Sequence, residues 1–138
     1  MSQFSMEATL GFHLITNVLS RELSEHVDRC AAIVGMSAAE LMVLYVVRKL
    51  GEASAADIQR ASACSPNEIS GSWERLRKAE LVSEAEQAGG RRVLVITSKG
   101  EKLLDRLSAC QQVSAAVGRL HPQHLAERLF QALAGIVP

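Results

Sequence analysis

Apolar residues recur along this chain at helical spacing through most of its length and at strand spacing in one short stretch. Leu10, Leu14 and Val18 repeat at i+4, and Leu19, Leu23, Val27, Cys30 and Val34 continue the rhythm. This predicts one long helix over residues 5–34 with a wide apolar face, ended by Gly35. Ser37 and Glu40 form an S-x-x-E capping pair for a second helix, whose stripe is Leu41, Leu44, Val47 and Leu50 and whose stop is Gly51. Ser54 and Asp57 open a short third helix with Ile58 and Ala61 facing inward. Ser65 and Glu68 open a fourth, with Pro66 at the first helical position, where its missing N–H costs nothing. Ile69, Trp73 and Leu76 at i, i+4, i+7 give that helix its apolar stripe.

The link Ala63-Cys64-Ser65 is too short for anything but a tight corner. Two short helices joined in this way are a helix-turn-helix, whose second helix can enter a DNA major groove. Leu81 to Glu86 and Arg92 to Thr97 then read as two strands around an Ala88-Gly89-Gly90 turn, which adds a hairpin wing. Ser98 and Glu101 are a further capping pair, before a helix with Leu103, Leu104, Leu107, Cys110, Val113 and Val117 that runs to Gly118. A last helix opens after His121, with Pro122 at its first position, and carries Leu125, Leu129, Phe130 and Leu133. The expected fold is mainly α with a small β wing, a single domain over 1–138. The winged helix-turn-helix lies at 37–97, between terminal helices at 1–36 and 98–138.

In this order the elements resemble the MarR family of bacterial transcription regulators. The family pattern runs from a recognition helix through Leu-x-x-x-Gly-Leu-Val and an Arg-bearing wing to a strand ending Leu-Thr-x-x-Gly. Leu76 to Val82 and Ile96-Thr97-Ser98-Lys99-Gly100 match it, with Glu80 in place of the first glycine. Gly71 stands where members often carry a long polar side chain, and the wing has Ala88, Gly89 and Gly90 where an Asp is usual. The resemblance implies a homodimer built by the terminal helices, with Leu10, Leu14, Leu107, Val113, Leu125, Leu129 and Phe130 at its interface. A two-fold axis relating two recognition helices implies a pseudo-palindromic DNA site with half-sites about 34 Å apart. It also implies a small-molecule effector pocket, for which Phe12, His13, Ile15 and Val43 are candidates.

On the DNA side, helix 65–79 and wing 86–92 supply the contacts. Asn67, Ser70 and Gly71 are placed for base edges, with Ser65 a further DNA-binding candidate at the helix cap, and an Asn can pair with adenine through two hydrogen bonds. Arg75, Arg77 and Lys78 lie toward the helix end for phosphates, and Arg91 and Arg92 on the wing for the minor groove or flanking phosphates.

Composition tempers this picture. Fifteen basic residues balance fifteen acidic ones, so the chain lacks the basic excess usual in a dedicated DNA binder. An alternative is therefore a winged-helix module that binds a protein or a ligand, with weak or no DNA binding. Apolar residues are 48% of the chain, more than one subunit of this size readily buries, which points to a partner copy. No apolar run approaches the roughly 20 residues of a membrane span, and the first residues lack a signal-like core, so a cytoplasmic protein without membrane contact is expected.

The 3 cysteines lack C-x-x-C spacing, which excludes a zinc ribbon. Cys64, just before the N-cap of the recognition helix, is the candidate redox residue, because oxidation there would tilt that helix. His121 and His124 at i+3, with His13 and His26 apart, do not make a metal site. Neither a nucleophile–base constellation nor a Gly-rich phosphate loop is present, so catalytic residues, cofactor and enzymatic activity are not expected.

Overall fold

The structure is a computed structural model that describes residues 5–109. The chain divides into two units, with the boundary between Val27 and Asp28. The described part of the first is one stretch of helix. Helix α1 (Met6–Ile33) begins where the Ser5 hydroxyl accepts from the Ala8 N–H at 3.1 Å. Met6, Leu10, Phe12, Leu14 and Leu23 along it are exposed. It ends in the second unit with Gly35 at φ 70° and the Met36 N–H bonded to the Ala31 carbonyl.

The second unit is built around helix α2 (Ala38–Leu50), capped by Ser37 at its start and by Gly51 at φ 80°. Val43, Leu44 and Val47 on α2 have no accessible surface, and Leu41 and Val46 are buried beside them. Leu50, expected inward, is 51% exposed, because Gly51 turns the chain away before that last turn is covered. Helices α3 (Ala55–Ser62) and α4 (Pro66–Lys78) pack on α2. Ile58 is their contribution to the core from α3, whereas Ala61 is exposed. Ile69, Ser72 and Leu76 form the inner face of α4.

A three-stranded antiparallel sheet closes the unit in the order β1 (Glu52–Ala53), β3 (Arg92–Ile96), β2 (Val82–Glu86). Its register pairs Ala53 with Leu94 and Glu84 with Leu94 on the other side. The two-residue strand β1 carries too short a pattern to be read from sequence. Its pairing with β3 ties the wing to the end of α2. Helix α5 (Ser98–Ala109) follows. Its N-cap is Thr97 rather than part of a Ser98–Glu101 box: the Thr97 hydroxyl accepts from the Gly100 N–H at 3.1 Å. No single helix among the described residues is long and apolar enough to cross a membrane.

The junction of α4 with α5 shows why the Leu76–Val82 and Ile96–Gly100 segments have their patterns. Glu80 lies at φ 62°, and the N–H groups of Glu80 and Leu81 bond the carbonyls of Arg77 and Leu76 at 3.0 Å each. This is a Schellman ending in which a glutamate adopts the left-handed conformation that glycine takes without penalty, at a cost of about 1–2 kcal/mol. The Thr97 hydroxyl donates to the Glu80 carbonyl at 2.7 Å, and Lys99 Nζ donates to the Ala79 carbonyl at 2.9 Å. Gly100 presses against the same turn. A Cβ at that position would lie 2.3 Å from the Leu81 carbonyl oxygen.

Two substitutions with opposite signs test this packing. Gly100→Ala should destabilise the chain by about 3 kcal/mol, because backbone rather than a flexible side chain must give way. Ser72 has no accessible surface and its hydroxyl has no hydrogen-bond partner. Ser72→Ala removes an orphaned polar group and improves helix propensity, so it should stabilise by about 1 kcal/mol. Urea unfolding followed by circular dichroism reads both.

Candidate nucleic-acid interface

The corner between α3 and α4 is made by local hydrogen bonds. Ser54 and Asp57 form a reciprocal capping box, with the Ser54 N–H donating to Asp57 Oδ2 at 3.0 Å and the Asp57 N–H to Ser54 Oγ at 3.2 Å. Ser65 and Glu68 repeat it at the start of α4, at 3.0 and 3.2 Å. The bond from the Ser65 backbone N–H, then that with its side chain, holds the Glu68 carboxyl below its ordinary value. Its charge is thus committed to the helix start. Between the boxes, Ala63 turns the chain at φ 57° and the Cys64 N–H donates to Ser62 Oγ at 3.3 Å. Cys64 itself is a half-buried free thiol, Cys30 is buried, and Cys110 lies outside the described residues.

Helix α4 presents Asn67 and Ser70 as exposed side chains on its first two turns, with Ser65 exposed at the cap and Gly71 half-buried. Arg75 does not extend from the helix. Its Nε donates to Glu40 Oε1 on α2 at 2.7 Å, and its guanidinium lies where a Cβ on Gly71 would come within 3.2 Å. The missing side chain at 71 therefore leaves room for an arginine folded back along α4. Arg77 pairs with Glu74 at 2.9 Å, which lowers the Glu74 pKa and raises that of Arg77. Among the described residues Lys78 makes no ion pair and is exposed.

The wing differs most from the sequence expectation. Arg92 is exposed at the base of the turn, opposite Glu86 in the register. Arg91 instead reaches back to α3, where its Nη2 donates to Ser54 Oγ at 2.7 Å and to Asp57 Oδ2 at 2.6 Å. Asp57, with a side chain 20% exposed, also receives Arg60. One carboxylate thus caps α3, holds Arg60 and ties down the wing. Bonding to the Ser54 backbone and hydroxyl, followed by the charges of Arg91 and Arg60, pulls its pKa below the ordinary 3.8. Gln87 adds a second tie through Glu52 at 2.5 Å.

Between α3, α4 and the wing lies a groove of about 470 Å³. Trp73 lines it together with Pro66, Ile69, Ser70, Glu84 and Arg92. Trp73 is half-buried and its indole N–H donates to Glu84, so it joins α4 to β2 rather than completing a buried stripe. The sequence reading does not single out Asp57, Arg60 and Trp73, whose bonds hold α3, α4 and the wing in place. An indole N–H that needs an acceptor, and an Arg at i+3 from a capping Asp, were the signals available.

The remaining expected residues fall as follows. Leu10 and Leu14 are exposed on the α1 stretch of the first unit, at 56% and 48%. Leu107 is already buried in the single chain, at 7%, and offers little area to a partner. Val113, Leu125, Leu129 and Phe130 lie outside the described residues, as do His121 and His124. Phe12, His13 and Ile15 belong to the first unit, the first two of them exposed, whereas Val43 is in the core of the second. Among the described residues no group of three His, Cys, Asp or Glu is placed to hold a metal ion.

Comparison with known proteins bears on the same region. A family profile described as a winged helix DNA-binding domain matches residues 36–100. No curated protein sequence matches the chain. Among solved structures, BpsR of Bordetella bronchiseptica, described with a mechanism for regulation of its DNA binding by 6-hydroxynicotinic acid, is similar at 19% identity. The match covers 94% of each chain, with a TM-score of 0.63. A cysteine mutant of MarR from E. coli, complexed with operator DNA, matches at 15% identity over 99% of this chain and 100% of that one, with a TM-score of 0.64. A probable transcriptional regulator from Pseudomonas aeruginosa matches at 23% identity over 83% and 93%, with a TM-score of 0.60. The chain has the fold of the MarR-type winged-helix regulators.

The Asp57 hub predicts acid sensitivity. Its folded pKa is depressed, so its contribution is complete above the ordinary value and is lost as pH falls through the lower folded one. The melting temperature of the parent should therefore fall more steeply below about pH 4 than that of Asp57→Asn, as thermal denaturation between about pH 6 and pH 2.5 would show. Parallel curves for the two would remove Asp57 from this role.

Proposed function

We propose that this chain is a homodimeric DNA-binding transcription regulator that reads a pseudo-palindromic duplex site. The observation that carries the reading is a doubly capped helix-turn-helix whose second helix offers Asn67 and Ser70, exposed, on the face that the wing flanks. The winged helix DNA-binding profile over residues 36–100 supports it. Asn67, Ser70 and the Ser65–Gly71 backbone read base edges, and Lys78 and Arg92 contact phosphates. Arg91 acts by holding the wing at its angle to α3.

The exposed apolar side chains of α1 support self-association, since Leu10, Phe12, Leu14 and Leu23 would otherwise stay in water. Dimerisation through the terminal helices places the two recognition helices about one DNA turn apart. A small molecule or an oxidant modulates that spacing, by analogy with the regulation of BpsR by 6-hydroxynicotinic acid. Phe12, His13 and Ile15 on α1 are the pocket candidates for such an effector, whereas Val43 has no accessible surface to offer it, and Cys64 is the thiol candidate for an oxidant.

A second reading has one observation in its favour. Arg60, Arg75, Arg77 and Arg91 are all held by carboxylates, which leaves little free positive charge for phosphates. A winged-helix module that binds a protein or a ligand and grips DNA weakly would be built in this way.

Fluorescence anisotropy on duplex DNA from upstream of the protein's own coding sequence, against a scrambled duplex, separates the two. A regulator should bind the native duplex more tightly. With Lys78 and Arg92 of each subunit on phosphates, the slope of log K against log salt should be about −4. Asn67→Ala should weaken native binding about tenfold and leave scrambled binding unchanged, because it removes base recognition alone. Arg92→Glu should weaken both. Equal, weak binding of all duplexes would favour the interaction module.

A further inference from the structure

A second depression, away from the α3–α4 face, lies where the start of α5 meets the strand-ward end of α4. It encloses about 280 Å³ and is lined by Leu81, Lys99, Lys102, Leu103 and Arg106. Leu81 is 5% exposed and Leu103 half-buried, so the two leucines make an apolar floor. The cations stand at i, i+3 and i+7 on α5, which places all three along one side of that helix. No carboxylate is among the lining residues. Among the described residues, Lys102 and Arg106 form no salt bridge and both are exposed. Lys99 is engaged, but by a neutral group: its Nζ donates to the Ala79 carbonyl at the end of α4.

A chain of zero net charge that pairs five other arginines with carboxylates among the described residues, Arg48 with Asp105 of α5 included, leaves these three cations together over an apolar floor. We propose that this pocket binds a small anionic amphiphile. Its carboxylate or phosphate head group sits among Lys99, Lys102 and Arg106, and a single ring or short alkyl body rests on Leu81 and Leu103. The guanidinium of Arg106 can take two oxygens at once, and the lysine stems extend the apolar walls. Ligand pockets commonly measure roughly 300–1,000 Å³, so this one suits a ligand of one ring rather than several.

Binding also reaches α4. A head group that draws Lys99 away leaves the Ala79 carbonyl without that donor, at a helix end already held by Glu80 in a left-handed conformation. Any effect of this loosening on DNA binding rests on α4 being the reading helix. The binding itself does not.

The test is a two-dimensional amide NMR titration of the full chain, without DNA, against benzoate, phenyl phosphate, benzyl alcohol and inorganic phosphate. Saturable shifts should appear at Lys99–Arg106 and Ala79–Leu81 with benzoate or phenyl phosphate, and the tighter of the two identifies the head group. The double variant Lys102→Gln/Arg106→Gln, both exposed positions, should keep the parent spectrum elsewhere and weaken binding at least tenfold. Equal affinity for benzyl alcohol would reduce the site to an apolar pit, and equal affinity for inorganic phosphate to a bare anion patch. Either result, or shifts confined to other residues, overturns the proposal. Because no DNA is present, its failure is independent of failure of the regulator reading.

Discussion

Burial of one helix organises residues 28–109. Val43, Leu44 and Val47 of α2 have no accessible surface, and α3, α4, α5, β1 and β3 all lie against α2. Each such aliphatic side chain contributes about 1.5–3 kcal/mol when fully withdrawn from water. The reading helix is placed by the same burial: Ile69 and Leu76 must face α2, so Asn67 and Ser70 face out. The polar outer face of α4 is therefore a consequence of hydrophobic packing on the inner one.

Around that core the electrostatics are used for positioning more than for attraction. Glu40, Asp57 and Glu74 each hold an arginine that an unpartnered winged helix would offer to phosphate. Ion pairs this exposed add little stability one by one. Their geometric effect is larger, because Asp57 links three pieces of backbone: the start of α3, Arg60 within it and the wing at Arg91. A wing tied down in this way is held at a set angle to α3 and presents less free charge.

The α4–α5 junction has a comparable economy. Four backbone carbonyls, those of Leu76, Arg77, Ala79 and Glu80, end the reading helix, and Leu81, Glu80, Lys99 and Thr97 satisfy them. Gly100 allows α5 to approach closely enough for this to happen. The end of the reading helix is thereby coupled to the first turn of α5, whose other side chains rim the small basic pocket.

What the amino-acid order determined by itself is whatever is decided within a few residues. The Ser54–Asp57 and Ser65–Glu68 boxes, Pro66 at the helix start, the Ile69–Leu76 stripe and the wing turn at Gly89 and Gly90 all depend on partners three to seven positions away. Those spacings follow from helix and hairpin geometry alone, so the winged helix-turn-helix and its outward face were legible. The tertiary structure decided the long-range partners. Arg91 finds Asp57, Arg75 finds Glu40 and Trp73 finds Glu84, because the packing of separate elements brings those side chains together. An arginine's spacing shows which side of an element it leaves. Which carboxylate then reaches it depends on how separate elements pack, and no local pattern carries that distance.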